Sequence, residues 1–177
     1  MEIIEFGNAI LRKVSKQVKL SEIASEKIQE LIKDLIQACD EHPMGVGIAA
    51  PQIGINLRLF VIRTKPTEGR PNLKSRTRIC INPVILEFKG SKTLLWDGCL
   101  SEGKEPMFAQ TERYTKLKVQ YLNQDGKLEN ENLDGFLAHV FQHELDHLDG
   151  ILFPDRVMNS KSWMSKKEYI KIRKTSK

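Results

Sequence analysis

The sequence predicts an α+β fold in which antiparallel or mixed β-sheets pack around one central helix. Three observations support this class. An early segment repeats apolar residues at helical spacing, several middle segments alternate apolar and polar residues as strands do, and a late apolar segment at helical spacing carries two histidines. At 177 residues the chain is long enough for one well-buried core, and no internal repeat or domain boundary is evident.

The first helix is predicted to begin at a serine cap, Ser21 or Ser25, and to end near Asp40. Its apolar residues recur at steps of three and four: Ile28, Leu31, Ile32, Leu35, Ile36 and Cys39. This spacing gives the helix one apolar face, which we expect to pack on a sheet.

The middle of the chain is predicted to form strands at residues 57–62, 79–88, 94–96, 117–121 and 127–133. The run Asn123-Gln124-Asp125-Gly126 predicts a tight turn between the last two strands. Asp134 is expected to cap the late helix, which then runs to about Leu148.

That late helix carries Gln142-His143-Glu144-Leu145-Asp146-His147. Residues four apart lie on one face of a helix, so His143 and His147 can bind the same metal ion. Glu144 then lies beside the ion, where it can take a proton from water. The same pattern also occurs by chance on polar helix faces, so the motif alone leaves both interpretations open.

A catalytic zinc-type site needs a third protein ligand and one open position. Downstream of His147 the sequence offers only carboxylates, of which Glu168 would make the protein a zinc peptidase. Upstream, Cys99 is the better candidate, because a thiolate binds zinc or iron well and Gly98 permits an unusual backbone conformation beside it.

Other histidines and cysteines are predicted to have structural roles. Cys39 and Cys80 lie in apolar segments and are expected to be small buried side chains. His139 is about 12 Å from His147 along an ideal helix, so we expect it to pack near the site or support it rather than to bind the same ion. His42, beside a proline, is expected to cap a helix or lie at the surface.

A third segment, Gly45-Val46-Gly47-Ile48-Ala49-Ala50-Pro51-Gln52, combines glycines and small side chains with an amide donor at Gln52. Together with Trp96-Asp97-Gly98-Cys99-Leu100-Ser101 and the His-Glu-x-x-His segment, it gives three motifs in a fixed order. In this the chain resembles the peptide deformylase family, which is marked by Gly-x-Gly-x-Ala-Ala-x-Gln, Glu-Gly-Cys-x-Ser and Gln-His-Glu-x-x-His. The resemblance extends over residues 3–156.

The resemblance implies an enzyme that hydrolyses the N-formyl group of the initiator formyl-methionine of nascent polypeptides and releases formate. It implies a central metal-binding helix and one divalent metal per chain, Fe²⁺ with Zn²⁺, Ni²⁺ or Co²⁺ as substitutes, held by Cys99, His143 and His147. Glu144 would be the general base and then the acid, and the Gln52 side chain and Leu100 N–H would form an oxyanion hole. The nascent peptide would be bound by Gly45, Val46, Gly47 and Ile48.

The chain departs from the family pattern in two places. Asp97 stands where the family has Glu, and Arg113 lies about where the Arg partner of that Glu falls, so Asp97, Gly98 and Arg113 are expected to support the site. The stretch 102–112 is longer than in common members and has Gly103 in place of a proline. These departures leave two alternatives open: the same site acting on another acyl amide, or a weakly active protein with a ribosome-binding or metal-binding role.

The distribution of charge predicts a catalytic domain at residues 1–156 and a basic C-terminal extension at residues 157–177. The extension could form a helix. Residues 156–177 carry eight Lys or Arg and one Glu, whereas the whole chain has a net charge of +5. Such a tail either keeps the protein soluble or docks on ribosomal RNA, and no DNA partner is expected.

The compartment is predicted from apolar runs and cysteines. No segment approaches the roughly 20 apolar residues that cross a bilayer, and the first residues do not form a signal peptide. Three cysteines, with one expected to bind metal, fit a reducing cytoplasm of bacterial type better than a disulfide framework.

Overall fold

A six-stranded sheet and three α-helices are formed by residues 2–42, 45–67 and 70–175, the part of the chain that the computed structural model describes. The helices are α1 (Glu26–Glu41), α2 (Gly135–Leu148) and α3 (Lys166–Thr175). The strands are β1 (Gly47–Ala49), β2 (Leu59–Thr64), β3 (Arg76–Asp97), β4 (Met107–Leu122), β5 (Leu128–Asp134) and β6 (Met164–Ser165). The first five are neighbours in chain order and β6 pairs with β4, all antiparallel, which confirms the predicted α+β class.

Strand β2 is apolar on both faces because α1 and α2 pack on opposite sides of the sheet. Leu59 and Val61 belong to the core cluster that contains the apolar face of α1. Phe60 and Ile62 point the other way, into the cluster that contains α2, where the ring of Phe60 meets that of Phe141 edge to face at 5.1 Å. Helix α2 is therefore enclosed, as predicted for a central helix.

Ten of the fourteen residues of α2 are buried, including most of its polar ones, and buried polar groups require partners. Gln142 meets this requirement on β4. Its Oε1 accepts from the backbone N–H of Tyr114 at 3.1 Å, and its Nε2 donates to the Tyr114 carbonyl at 3.0 Å and to that of Ala138 at 2.9 Å. These bonds fix α2 against the strand that also carries Arg113.

The two predicted helix caps differ in outcome. Ser25 caps α1, since its side chain accepts a hydrogen bond from the backbone N–H of Ile28. Asp134 occupies the cap position of α2, but its side chain makes no capping hydrogen bond and lies instead 3.7 Å from Nζ of Lys116. Asp134 is therefore at the predicted cap position but does not cap the helix through its side chain.

Strand β3 is one strand of 22 residues where the sequence predicted two shorter ones. Its pairing with β4 shifts register three times, between Ile81 and Val84, between Ile85 and Glu87, and between Lys89 and Lys92. Each irregularity resets the alternation of side chains between the two faces, so the sequence pattern breaks although the strand continues.

The C-terminal residues pack on the sheet. Strand β6 pairs with the start of β4, and Tyr169 of α3 is buried with its ring stacked on that of Phe108 at 4.1 Å and 11°. The C-terminal extension thus contains a helix, which the sequence analysis had allowed. The domain boundary at residue 156 remains a prediction. Within the described residues, every helix is too short or too polar to cross a membrane.

Candidate metal centre and active site

Cys99, His143 and His147 converge where β3 ends beside α2. Their potential ligand atoms all lie within 4.8 Å of one another, and Sγ of Cys99 is 3.2 Å from Nε2 of His147. The helix supplies both imidazoles from one face because they are four residues apart. A 3-10 turn, Leu100–Glu102, follows Cys99, and the sulfur accepts from the N–H of Ser101 at 3.4 Å.

This group fits a divalent metal ion. One thiolate and two imidazoles are good donors for zinc and iron, and ligands about 2.0 to 2.3 Å from a tetrahedral ion lie about 3.5 Å apart. All three side chains are buried, and they leave a tetrahedral ion one open position. Oε2 of the buried Glu144 has no hydrogen-bond partner among the described protein atoms, as expected for a group that acts on water or substrate.

Asp97 is the hub behind His143. Its Oδ1 accepts from Nδ1 of His143 at 2.8 Å and lies 3.2 Å from Nε2 of His139. Its Oδ2 accepts from Nη2 of Arg113 and from the hydroxyl of Thr111, both at 3.1 Å. The bond to Nδ1 leaves Nε2 of His143 as the ligand atom, which is how a carboxylate behind a histidine orients a metal ligand.

Arg113 joins this hub to a second carboxylate that the sequence analysis did not single out. Its guanidinium lies between Asp97 and Asp146, and Asp146 also accepts from Nη2 of Arg156 at 2.8 Å. Asp146 lies three residues after His143 on α2, so its helical spacing was the available signal. The shorter Asp97 side chain thus still contacts Arg113.

Burial controls the protonation of the site. It lowers the pKa of His147 well below the ordinary value, and the neighbouring His143 lowers it further, which favours the neutral imidazole that binds metals. Burial acts to lower the pKa of His143, but Asp97 and Cys99 together outweigh burial and raise the pKa well above its ordinary value. Burial raises the pKa of the Cys99 thiol, against the effect of His143, and a bound cation would favour the thiolate.

Glu144 is held close to β1. A Cβ atom built on Gly47 would lie 2.3 Å from Oε1 of Glu144 and 2.8 Å from its Cδ. Only glycine allows this approach, so Gly47 sets the position of the carboxylate. Burial raises the pKa of Glu144 to about 7, which suits a group that gains and loses protons near neutrality.

Replacing Gly47 by Ala is therefore expected to displace Glu144 and to lower kcat by up to about a hundredfold, since a misplacement of 1 Å can cost that much. The metal ligands are not touched by the change. Metal content per chain should remain that of the wild type, and the thermal midpoint serves as the folding control. A normal kcat in a folded Gly47→Ala variant would contradict this reading of the contact.

Gln52 is held beside the metal group by hydrogen bonds. Its Oε1 accepts from the backbone N–H of Ala49 at 2.8 Å, which directs the amide nitrogen towards the loop after β3. That nitrogen lies 3.2 Å from Oγ of Ser101 and 3.5 Å from Sγ of Cys99. The arrangement presents an N–H donor beside the metal group, next to the backbone of Leu100.

A cavity of about 860 Å³ opens beside these residues and is large enough for several residues of a peptide. Val46 and Gly47 of the predicted substrate segment line it, and His42 lies at its edge where α1 ends. Gly45 is not among the residues that line it, and it packs against α1, since a Cβ there would lie 2.3 Å from the carbonyl oxygen of Cys39. The Ile48 side chain is buried in the core towards α1.

Glu168 is not near the metal group. It lies on α3, is exposed, and accepts from Nζ of Lys171 at 2.7 Å. In the described part of the chain, the group of side chains that could hold a metal consists of Cys99, His143 and His147. The zinc-peptidase alternative, with Glu168 as third ligand, is therefore not favoured. Cys39 and Cys80 are buried apolar side chains, as predicted.

The fold and this site define a hydrolase with a metal-capable Cys/His/His group and a buried carboxylate on the same helix. The model of the polypeptide deformylase family matches residues 1–163. The chain belongs to that family, which confirms the predicted resemblance and reaction: it is an enzyme that removes the N-formyl group from nascent polypeptides.

Relatives and solved structures agree with this assignment. Peptide deformylase of Aquifex aeolicus is 39% identical over 99% of this chain and 98% of its own length, and that of Thermotoga maritima is 36% identical over 97% and 96%. The Met-Ala-Ser-bound crystal structure of the class I type b enzyme of Acinetobacter baumannii superposes with a TM-score of 0.81. The two sequences are 34% identical, and the superposition covers 89% of this chain and 98% of the Acinetobacter baumannii chain.

Proposed function

We propose that this chain deformylates peptides with one divalent ion held by Cys99, His143 and His147, and with Glu144 as the proton-transferring residue. The observation that carries the proposal is the convergence of three buried ligand side chains within 4.8 Å beside a buried carboxylate whose Oε2 has no protein partner. When bound, the cation supplies Lewis acidity, which polarises a carbonyl and lowers the pKa of water.

Glu144 transfers the proton of the attacking water. It takes that proton while the oxygen adds to the formyl carbon, and it gives a proton to the peptide nitrogen as the C–N bond breaks. The products are formate and a free amino terminus, so the water supplies every atom that the amide gains. Because Gly47 has no side chain, the carboxylate of Glu144 can occupy this position during both transfers.

The oxyanion formed at the formyl carbon is stabilised by the Nε2 donor of Gln52 and by the N–H of Leu100. The bond from Ala49 to Oε1 fixes the orientation of the Gln52 amide before substrate binds. One such preorganised donor typically contributes about 3 kcal/mol to the transition state.

The peptide binds along β1, the edge strand of the sheet, where Gly47 of β1 and the preceding residue Val46 line the cavity. An extended chain pairs readily with an exposed strand edge, so its backbone would be held while its side chains enter the cavity. The Met-Ala-Ser complex of the Acinetobacter baumannii enzyme supports a peptide in this fold. Methionine is the proposed first residue.

We propose Fe²⁺ as the native ion, with Zn²⁺, Ni²⁺ or Co²⁺ as substitutes, since one thiolate and two imidazoles suit both iron and zinc. Formate release from formyl-Met-Ala-Ser by protein purified without oxygen and loaded with each ion tests both reaction and metal. Release that depends on the ion supports the proposal. No release from protein that holds one Fe²⁺ per chain would contradict it.

We propose a cytoplasmic location of bacterial type and contact with the ribosome through the basic C-terminal residues. The three free cysteines, all buried, support a reducing compartment. The exposed lysines near and on α3 support docking on RNA phosphates: Lys161, Lys167 and Lys171.

Reversing the charge of these three lysines to Glu should weaken co-sedimentation with ribosomes at low salt by at least tenfold, because phosphate contacts dominate such binding. Deleting the segment is a poorer test, since it also removes the buried Tyr169. The matched control reverses three exposed lysines elsewhere, Lys19, Lys27 and Lys33. Equal co-sedimentation of both triple variants would count against docking through this segment.

A further inference from the structure

One wall of the substrate cavity is built by the C-terminal helix. Lys166, Tyr169 and Arg173, spaced three and four residues apart on α3, line the cavity together with Arg70. Tyr169 holds the helix there by stacking on Phe108. The basic residues of α3 thus lie on two faces of the helix: Lys167 and Lys171 lie on the outer face, and Lys166 and Arg173 line the cavity.

The two arginines of this wall rest on aromatic rings. The guanidinium of Arg70 lies 3.6 Å from the ring centre of Phe136, the second residue of α2, and that of Arg173 lies 5.9 Å from the ring centre of Tyr169. Burial and the nearby charge of Arg173 lower the pKa of Arg70 from its ordinary value. Two positive charges are therefore held near each other, where they repel.

Within residues 2–42, 45–67 and 70–175, no carboxylate lies within 4 Å of the charged groups of Arg70, Lys166 or Arg173. The acidic residues that line the cavity lie elsewhere in it: Glu2 and Glu5 belong to the amino-terminal segment, and Asp97 and Glu144 belong to the metal centre. A half-buried pair of cations in a substrate cavity, with no acidic partner in that part of the chain, suits an anionic group on the substrate.

The distance from the metal group identifies the part of the peptide concerned. Phe136 precedes His143 by seven residues, which is about 10 Å along a helix. An extended peptide that runs along α2 from the metal group advances about 3.3 Å per residue, so this distance would correspond to about three residues. The group that reaches Arg70 would thus belong to the third residue of the formylated peptide, two after the formyl-methionine.

We propose that Arg70 and Arg173, with Lys166 beside them, bind the carboxylate of an acidic side chain at the third residue of the substrate and thereby set sequence preference. The inference rests on the proposed function and adds a specificity site to it. The contact acts on binding of the peptide, remote from the formyl carbon, so its effect falls mainly on KM.

The test compares formyl-Met-Ala-Glu-Ser-amide with formyl-Met-Ala-Gln-Ser-amide, which differ by one charge. At low salt the Fe²⁺-loaded wild type should favour the Glu peptide by roughly fivefold to tenfold in kcat/KM, as expected for a partly exposed charge-assisted contact. In the double variant Arg70→Gln, Arg173→Gln the ratio should approach one, and in Arg70→Lys it should be partly kept. Moving Glu to the second or fourth residue should reduce the preference.

Lys167→Gln is the matched control, since Lys167 lies on the outside of the same helix and its change removes one charge. Its Glu/Gln ratio should equal that of the wild type. Equal hydrolysis of both peptides by the wild type overturns the specificity site alone, as does a preference that persists in the double variant. Release of formate from neither peptide overturns the proposed function as well. A preference for formyl-Met-Ala-Ser over its amide, without one for Glu over Gln, overturns the assignment to a side chain.

Discussion

The Glu144→Gln variant is expected to bind metal as the wild type does and to release formate about a thousandfold more slowly. Glutamine has the shape of the buried carboxylate but accepts no proton, and general acid–base catalysis is typically worth 10²- to 10⁴-fold. Neither Cys99, His143 nor His147 is altered. Formate release and metal content per chain, measured on the same preparations, separate loss of the proton acceptor from loss of the ion.

The pH profile gives an independent check on Glu144. Burial raises its pKa to about 7, and only the deprotonated carboxylate accepts a proton, so activity should rise as pH increases on the acid side. A cation bound beside the carboxylate favours the charged form and lowers its pKa. The acid limb of kcat/KM in the loaded enzyme is therefore expected below pH 7. A limb clearly above pH 7, or a Glu144→Gln variant with more than a tenth of wild-type activity, would exclude this residue as the base.

The metal group could be found in the sequence because local spacing determines most of it. His143 and His147 share a helix face by periodicity, and the helix is set by its own apolar pattern. Cys99 was found by a weaker route, the order of three motifs, since the pairing of β3 with β4 and the packing of α2 bring it to the helix from 44 residues before His143.

The supporting network could be predicted only in part. Arg113 was expected beside Asp97, but the place of Asp146 in the same network depends on how α2 packs against β4. His139 was expected near the site. Its contact with Asp97 depends on where the end of β3 lies relative to α2. Such contacts are tertiary, so no pattern within one segment contains them.

The C-terminal helix shows a different limit. Its sequence displays charge, which favours a tail that is solvated or docked on RNA, and charge alone does not reveal which residues face inward. The packing of Tyr169 on Phe108 determines which face of the helix points inward. The ring of Phe108 in turn lies 2.7 Å from a Cβ built on Gly98. Through these contacts α3 borders the loop that carries Cys99. The helix thus belongs to the cavity wall as well as to the basic surface.

The Cys99→Ala variant is expected to lose stoichiometric metal, and its activity should fall in proportion. Outer partners of metal ligands are worth roughly 10- to 100-fold in affinity, so loss of a thiolate ligand should weaken binding by well over a hundredfold. Metal affinity measured by competition with a chelator, with the thermal midpoint of the metal-free protein as folding control, tests this.

Two matched variants make the result specific to this ligand set. Cys80→Ala removes an equally buried thiol from β3 and should keep the metal, because Cys80 lies in the apolar core. Glu168→Ala should keep it too, because Glu168 is exposed on α3. If Cys99→Ala bound the ion as tightly as the wild type, the thiolate would not be a ligand. The 3.2 Å approach of its sulfur to His147 would then have to be explained by packing of the loop alone.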